Sequence, residues 1–470
     1  MHTTVFERRP ADANVINHSL AHTDDRVFWI DDVERDRYDS LHGEVEADLV
    51  VVGGGYTGLW TALRAVERQP DLRVVLLEGH RVGWAASGRN GGFCEASLTH
   101  GRENGMARWP DEMPALERMG QQNLDDIEDT VARYGIKADL ERTGALSVAV
   151  EPHQVAWLAE GSDSGDEYFD EAGIRAQVNS PTYLAGTWDR RGNMLIHPAR
   201  LAVELARTVS KLGVTIFEAS QVTRLENEGS RVRVHTDAGV VTADRVALGT
   251  NVFPSLLKRN RLMTVPVYDH VLATEPLSEE QLAEIGWQQR QGISDLANQF
   301  HYYRLTADNR IVFGGYDAIY HFGRKMKRRY EHNTETTRRL ASHFFTTFPQ
   351  LEGIRFSHKW GGAIDTSTQF CAFFGTAMTG KVAYATGFTG LGVAATRFAS
   401  DVMLDLLAGE QTERTELEMV RKRPLPFPPE PLASIGINLT RWSLDRADHA
   451  EGRRNVFLKA MDAVGLGFDS

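Results

Sequence analysis

Gly53, Gly55 and Gly58 follow the apolar run Val50-Val51-Val52, and the acid Glu78 closes the next apolar stretch about twenty residues past the last glycine. Few arrangements constrain a chain more. A glycine triplet between a buried strand and a helix permits a sharp turn at Gly53. It lets the backbone approach a pyrophosphate at Gly55 and packs the helix against the sheet at Gly58, with Tyr56 and Thr57 inside the turn. Leu59, Ala62, Leu63 and Val66 recur at helical spacing, so one helix face packs inward until Pro70 and Asp71 end it. Leu72 to Leu77, broken only by Arg73, reads as a parallel strand covered on both faces. The helix N-terminus then offers unpaired N–H groups to phosphates, and Glu78 can accept hydrogen bonds from ribose hydroxyls while disfavouring a 2′-phosphate. The expectation is a dinucleotide-binding βαβ unit of the Rossmann type.

At 470 residues the chain exceeds what one core usually serves, so two domains are expected. A formal charge of −12 argues against a nucleic-acid partner or an anionic membrane surface. The first ten residues are too polar for a secretory signal, and no apolar run reaches membrane-spanning length, which points to a cytoplasmic protein. Cys94 and Cys371 make neither a disulfide framework nor a thiolate cluster, and no histidine pair has zinc-protease spacing, so no metal ligand is expected.

The expected fold class is α/β, or α+β overall: a Rossmann-type domain joined to a discontinuous antiparallel-sheet domain. Residues 1–45 read as an N-terminal arm whose Val27-Phe28-Trp29-Ile30 cluster docks on the body. Residues 46–105, 187–255 and 357–410 read as the nucleotide domain, 106–186 and 256–356 as a substrate domain, and 411–470 as a C-terminal extension. An acidic loop is expected from Gly161 to Asp170, a proline-rich extended segment from Arg423 to Leu432, and a last amphipathic helix from Arg453 to Val464. Arg324 to Arg329 is a basic run, read as a solvated face.

A second glycine turn, Gly387-Phe388-Thr389-Gly390-Leu391-Gly392-Val393, follows the strand Val382 to Thr386 and aims another helix N-terminus at a ligand. A nicotinamide enzyme has no need of it, whereas a buried isoalloxazine draws contacts from distant segments. Ser87-Gly88-Arg89-Asn90-Gly91-Gly92 is another such segment.

These elements, with Leu195-Ile196-His197-Pro198, Val222 and Trp360-Gly361-Gly362, make the chain resemble the D-amino-acid oxidase superfamily of FAD-dependent amine oxidoreductases. The resemblance spans nearly all of residues 46–410. It is strongest to the branch holding glycine, sarcosine and γ-glutamylputrescine oxidases, and within it to γ-glutamylputrescine and aminophosphonate oxidoreductases, which carry a segment like Ala86 to Phe93. It implies FAD bound along both turns and Ser87 to Gly92, with Glu78, Trp84, Ala85, Val222, Thr250, Asn251 and Trp360 completing the site. It also implies non-covalent attachment: Ala85 stands where some relatives place a flavin-linked histidine after a tryptophan, and Cys371 falls beyond the position of a linking cysteine. The implied reaction passes hydride from the α-carbon of a neutral amine to flavin, leaving an imine that hydrolyses, with oxygen as acceptor. The lysine that activates oxygen in sarcosine oxidase has no counterpart on Ile311 to Gly315.

Within the antiparallel region, Arg304 is either a bidentate clamp for a carboxylate or phosphonate or a surface ion-pair residue. Tyr268, His270 and Tyr302 either orient the amine or fill the core. A small-molecule amine is the expected partner, and the sequence does not specify oligomeric state. Two other readings stay open, a flavin monooxygenase and a non-catalytic flavin-binding subunit, although Thr386-Gly387-Phe388 lacks the Gly-Asp motif usual in the former.

Overall fold

The computed structural model describes residues 2–161, 165–463 and 465–467. Strands this rich in valine and leucine need cover on both faces, and they obtain it. Gly43–Val52 lies mid-sheet, parallel to Val74–Leu77 on one side and to Gly239–Leu248 on the other. Thr215–Phe217 extends one edge, and Val382–Thr386 followed by antiparallel Phe373–Ala377 extends the other. Arg224–Glu228 and Arg231–His235 form a hairpin laid on Gly239–Leu248. Helices Tyr56–Arg68, Pro198–Lys211 and Gly392–Ala408 cover one face and share a single core.

The second sheet has nine strands. Its longest pairing is that of Thr264–Thr274, which meets Ile311–Gly315 and Ile319–Tyr320 along one edge and Phe356–Ser367, at the sheet's margin, along the other. His301–Leu305 follows Ile311–Gly315, then Gly292–Asp295, Ala145–Ala149, Ala185–Asp189 and Glu167–Phe169. Side chains alternate across it. Leu272, Tyr303, Leu305 and Phe313 pack outward under helix Thr334–Thr347, whose Leu340, Phe344 and Phe345 join them. Val271, Ala273, Tyr302, Val312 and Trp360 face inward, toward the nucleotide-binding sheet.

Several expected boundaries move. Phe356–Ser367 and Ala185–Asp189 are strands of the second sheet, so residues 357–367 and 187–189 leave the nucleotide domain. A strand's period of two reports which face is buried but not which sheet it joins. Helix Met113–Tyr134, placed by sequence in the substrate domain, instead packs Leu116, Leu124 and Ile127 into the nucleotide-domain core. The N-terminal segment is more than a polar arm: Val5, Phe6 and Ile16 enter the second core, while Phe28 and Trp29 are wedged between the layers. Beyond residue 411, an unanticipated helix runs Leu432–Asp448. The last helix is Val456–Ala463; Val464, like Ser162 to Ser164 of the acidic loop, lies outside the described residues. No helix among the described residues is long and apolar enough to cross a membrane.

Candidate active site

Where the two sheets face each other, one cavity of about 1400 Å³ runs between them. Single small-molecule pockets usually hold about 300–1,000 Å³, so this volume can admit a dinucleotide and a second molecule together. Gly53, Gly55, Tyr56 and Thr57 line one end, together with Glu78, Trp84, Ala85, Val222, Thr250 and Asn251. Ser87, Arg89, Asn90 and Gly91 line the middle, opposite Phe388, Thr389, Gly390, Leu391, Gly392 and Val393. Residues more than three hundred positions apart thus meet on one surface.

The first glycine turn is built for close approach. Gly53 has φ +110°, in the region that favours glycine, and a Cβ there would lie 2.5 Å from the carbonyl oxygen of Gly249. A Cβ on Gly58 would overlap the carbonyl oxygen of Gly53, so Gly58 sits behind the turn and not on the cavity. Gly88, Gly92 and Gly387 also stand behind the lining. Helix Tyr56–Arg68 begins at Gly55 with no side-chain cap, leaving its first amides directed at the cavity, apart from Tyr56 N, which donates to Ser87 Oγ at 2.9 Å. Glu78 Oε2 accepts from Gly54 N at 2.6 Å, and Oε1 accepts from His80 N at 2.7 Å and Trp84 Nε1 at 3.1 Å. Burial raises the Glu78 pKa, an effect those three donors oppose. A carboxylate has about four acceptor positions, so one remains for a hydroxyl.

The second turn is tied to the second sheet. Asp365 Oδ2, on Phe356–Ser367, accepts from Gly387 N at 2.5 Å and from Thr386 Oγ1 at 3.2 Å. Burial pushes the Asp365 carboxyl up to about 6. Helix Gly392–Ala408 follows, without a side-chain cap at its N-terminus.

The expected substrate-facing residues separate. Tyr302 lines the cavity, and its hydroxyl donates to Asp269 Oδ2 at 2.5 Å. Tyr268 reaches the cavity margin, its ring packed edge-on to His321 and Tyr330. His270 lies outside the lining, and burial lowers its pKa to about 4. Arg304 departs from both expectations: it is 2% exposed, and Nη1 donates to the carbonyls of Ile196 at 2.6 Å and Gly92 at 3.2 Å, while Nε donates to Leu305 O at 3.1 Å. These bonds to backbone carbonyls hold it behind the cavity, outside the lining, and its burial removes the surface ion-pair reading. Trp360 likewise stands behind the lining, where its Nε1 donates to Arg89 O at 2.8 Å.

The residue passed over is Asp269. In Thr264–Thr274 the cavity side carries Val265, Val267, Asp269 and Val271, a lone carboxylate in a valine stripe, while His270 and Leu272 point the other way. That isolated acid was the available signal. Asp295 and Asp317 also line the cavity, but Asp295 accepts from His301 Nδ1 at 2.7 Å, and Asp317 is held by Thr336 and Arg339. The extension adds to the lining, through Leu425 to Pro428 and, from helix Leu432–Asp448, Ala433, Gly436, Ile437, Thr440 and Arg441.

Comparison with known proteins decides the family. The model of the FAD dependent oxidoreductase (DAO) family matches residues 48–406. The chain belongs to that family. A γ-glutamylputrescine oxidoreductase of Escherichia coli (strain K12) is 33% identical over 389 residues, covering 79% of this chain and 86% of the relative. A probable oxidoreductase OrdL of Haemophilus influenzae is 28% identical, covering 82% and 88%. Among solved structures, glycine oxidase from Geobacillus kaustophilus superposes with a TM-score of 0.66 at 17% identity, over 78% of this chain and 96% of that one. An L-amino acid deaminase from Proteus vulgaris gives 0.65 at 16% identity, over 81% and 97%. The fold is therefore that of the DAO flavoenzymes, and the chain is an FAD-dependent oxidoreductase of the amine and amino-acid oxidising kind. The glycine-lined end, the uncapped helix N-termini and Glu78 form a donor and acceptor set that suits FAD.

Proposed function

We propose that the protein oxidises the C–N bond of a small amine, with FAD held non-covalently along the cavity and oxygen as the final acceptor. The observation that carries this reading is the shared cavity itself: both glycine turns line the same space as Tyr302 and Asp269 on the facing sheet. The first amides of Tyr56–Arg68 would hold the pyrophosphate and Glu78 the ribose. Cys94 and Cys371 are buried away from the lining, which supports attachment without a covalent bond.

When bound, the flavin supplies a two-electron acceptor for hydride from the amine's α-carbon. The protein's part is positioning and electrostatics. Amides from Gly390 to Val393 and the positive end of helix Gly392–Ala408 face the cavity and favour negative charge there. The wall of Val265, Val267 and Val271 excludes water from the reacting carbon. The imine product hydrolyses to a carbonyl compound after release. The γ-glutamyl polyamine conjugate named for the Escherichia coli relative is one amine of a suitable class.

The test is anaerobic titration of the yellow holoprotein with an amine panel, followed by admission of air. Bleaching by at least one amine and rapid return of colour are expected. A holoprotein that no amine bleaches would overturn the reading, and slow recolouring would replace oxygen with another acceptor.

A further inference from the structure

Tyr302 is seated by the absence of side chains around it. A Cβ on Gly314 would come 2.7 Å from its hydroxyl, and one on Gly91 would come 2.5 Å from its ring. Its hydroxyl therefore has a fixed position, and from there it donates to Asp269 Oδ2 at 2.5 Å. Asp269 Oδ1 accepts from His270 N at 2.7 Å, and the carboxylate also accepts from the backbone of Gly315, which leaves about one of its four acceptor positions for a ligand. Directly across the strand pair from Asp269 stands Gly362, where a Cβ would meet nothing closer than Arg89 Cβ at 3.8 Å. The carboxylate thus has open cavity beside it, within the reach of a ligand lying between Gly91 and Gly362.

We infer that Asp269, oriented by Tyr302, is the site that receives the substrate's ammonium group and takes its proton, so that the substrate is recognised as a cation and not through an α-carboxylate. This inference rests on the amine-oxidising reading and specifies its substrate class. The step is a simple proton transfer: an N–H bond of the ammonium breaks, an O–H bond forms on Asp269, and the amine lone pair is freed for loss of hydride from the adjacent carbon. The proton returns to water when the product leaves.

The charges nearby agree. The arginines lining the cavity are Arg89, Arg261 and Arg441. Arg89 is held by Glu331, Trp84 O and Gly361 O, and Arg441 faces Asp317 at 4.0 Å. Arg304, the guanidinium closest in sequence to Tyr302, is consumed elsewhere. No described lysine lines the cavity. The titratable groups packed around Asp269 are Tyr302, Asp317 on the next strand connection, and Tyr268 and His270 beside it on its own strand; Gly362 opposes it without charge. Withdrawal from water lifts the Asp269 carboxyl to about 6, with Tyr302 opposing the rise, so it is ionised at neutral pH yet basic enough to accept a proton.

The experiment needs no turnover: flavin absorbance of the holoprotein is titrated with n-butylammonium chloride and with potassium butyrate from pH 5 to 9. The parent is expected to bind butylammonium in preference to butyrate, with affinity rising through an acidic limb near 6. D269N, with flavin content unchanged, should lose at least about tenfold in butylammonium affinity together with that limb. Y302F should retain binding but move the limb to higher pH, because the carboxylate loses a donor. Unchanged affinity in D269N, or tighter binding of butyrate than of butylammonium, would overturn the assignment. Should D269N not retain flavin, Y302F decides, and an unmoved limb counts against Asp269. Butylammonium binding through Asp269 without bleaching by any amine would leave this site standing and remove the oxidase reading; bleaching with an indifferent D269N would do the reverse.

Discussion

Arg68 Nη1 donates to Asp405 Oδ1 at 2.7 Å, joining the helix that follows the first glycine turn to the helix that follows the second. Arg68 Nη2 and Arg64 Nε also reach Asp401, at 2.8 and 3.0 Å, while Arg414 reaches Asp405 at 2.6 Å. The two helices aimed at the cavity are thereby locked in relative position, with Asp405 only 1% exposed at their junction.

Removing Asp405 strands cations in a partly desolvated contact. D405A is expected to cost about 3–5 kcal/mol, and R68M only about 1 kcal/mol, because Arg414 and Thr412 still satisfy Asp405. Urea unfolding of both variants checks the order. A cost for R68M as large as that for D405A would mean that Arg414 and Thr412 do not compensate and that Arg68 alone holds the junction.

Arg304 is a fastener between the second sheet and the segments at Gly92 and Ile196. R304M leaves those carbonyls unpaired and is expected to cost about 1–3 kcal/mol, with KM for the best amine within about twofold of the parent. A large rise in KM at unchanged stability would return Arg304 to the substrate.

The two glycines of the first turn should fail differently. At Gly58 a side chain collides with the Gly53 backbone, so G58A should lower the unfolding midpoint even in flavin-free protein. At Gly55 a Cβ meets only Ser87 Oγ, at 2.9 Å, and faces the cavity. G55A should keep its midpoint but bind FAD at least about tenfold more weakly by fluorescence quenching. The reverse pattern would mean that the roles given to the two positions are exchanged.

Glu95 supplies a pH signature. Burial, reinforced by the nearby Asp189 charge, raises its pKa from 4.5 to about 7. Between those values the folded state holds more protons than the unfolded chain, so stability falls as pH rises through the interval. E95Q lacks this slope. Its stability relative to the parent should therefore grow from pH 4 to pH 7, by up to about 3 kcal/mol, in a denaturation series. A pH-independent difference would show that Glu95 stays ionised when folded.

Local signals revealed most of the nucleotide-binding half. Strand, turn, helix and acid occur within Val50 to Glu78, and the glycines and period of 3.6 report them directly. The second turn was equally plain. What escaped depended on distance. Phe356–Ser367 reads as a strand in any sheet, and only its pairing with Thr264–Thr274 assigns it to the second. On Thr264–Thr274, Tyr268 does reach the cavity while His270 does not, and the valine parity puts Asp269, which sequence alone does not single out, on the cavity side. Arg304 lies on the inward face of its strand, as its alternation with Tyr302 suggested, but nothing local shows that Ile196 and Gly92 bring their carbonyls to it. Helix Leu432–Asp448 is not legible in the sequence because its exposed Leu432, Ile435, Leu439 and Trp442 blur its apolar stripe.

That same helix lies beyond residue 406, where the family match ends, and still lines the cavity that holds Tyr302. Part of the cavity wall is therefore encoded outside the stretch that defines the family. A chimera carrying another tail after residue 410 would keep its yellow chromophore and its proton acceptor while admitting a different guest.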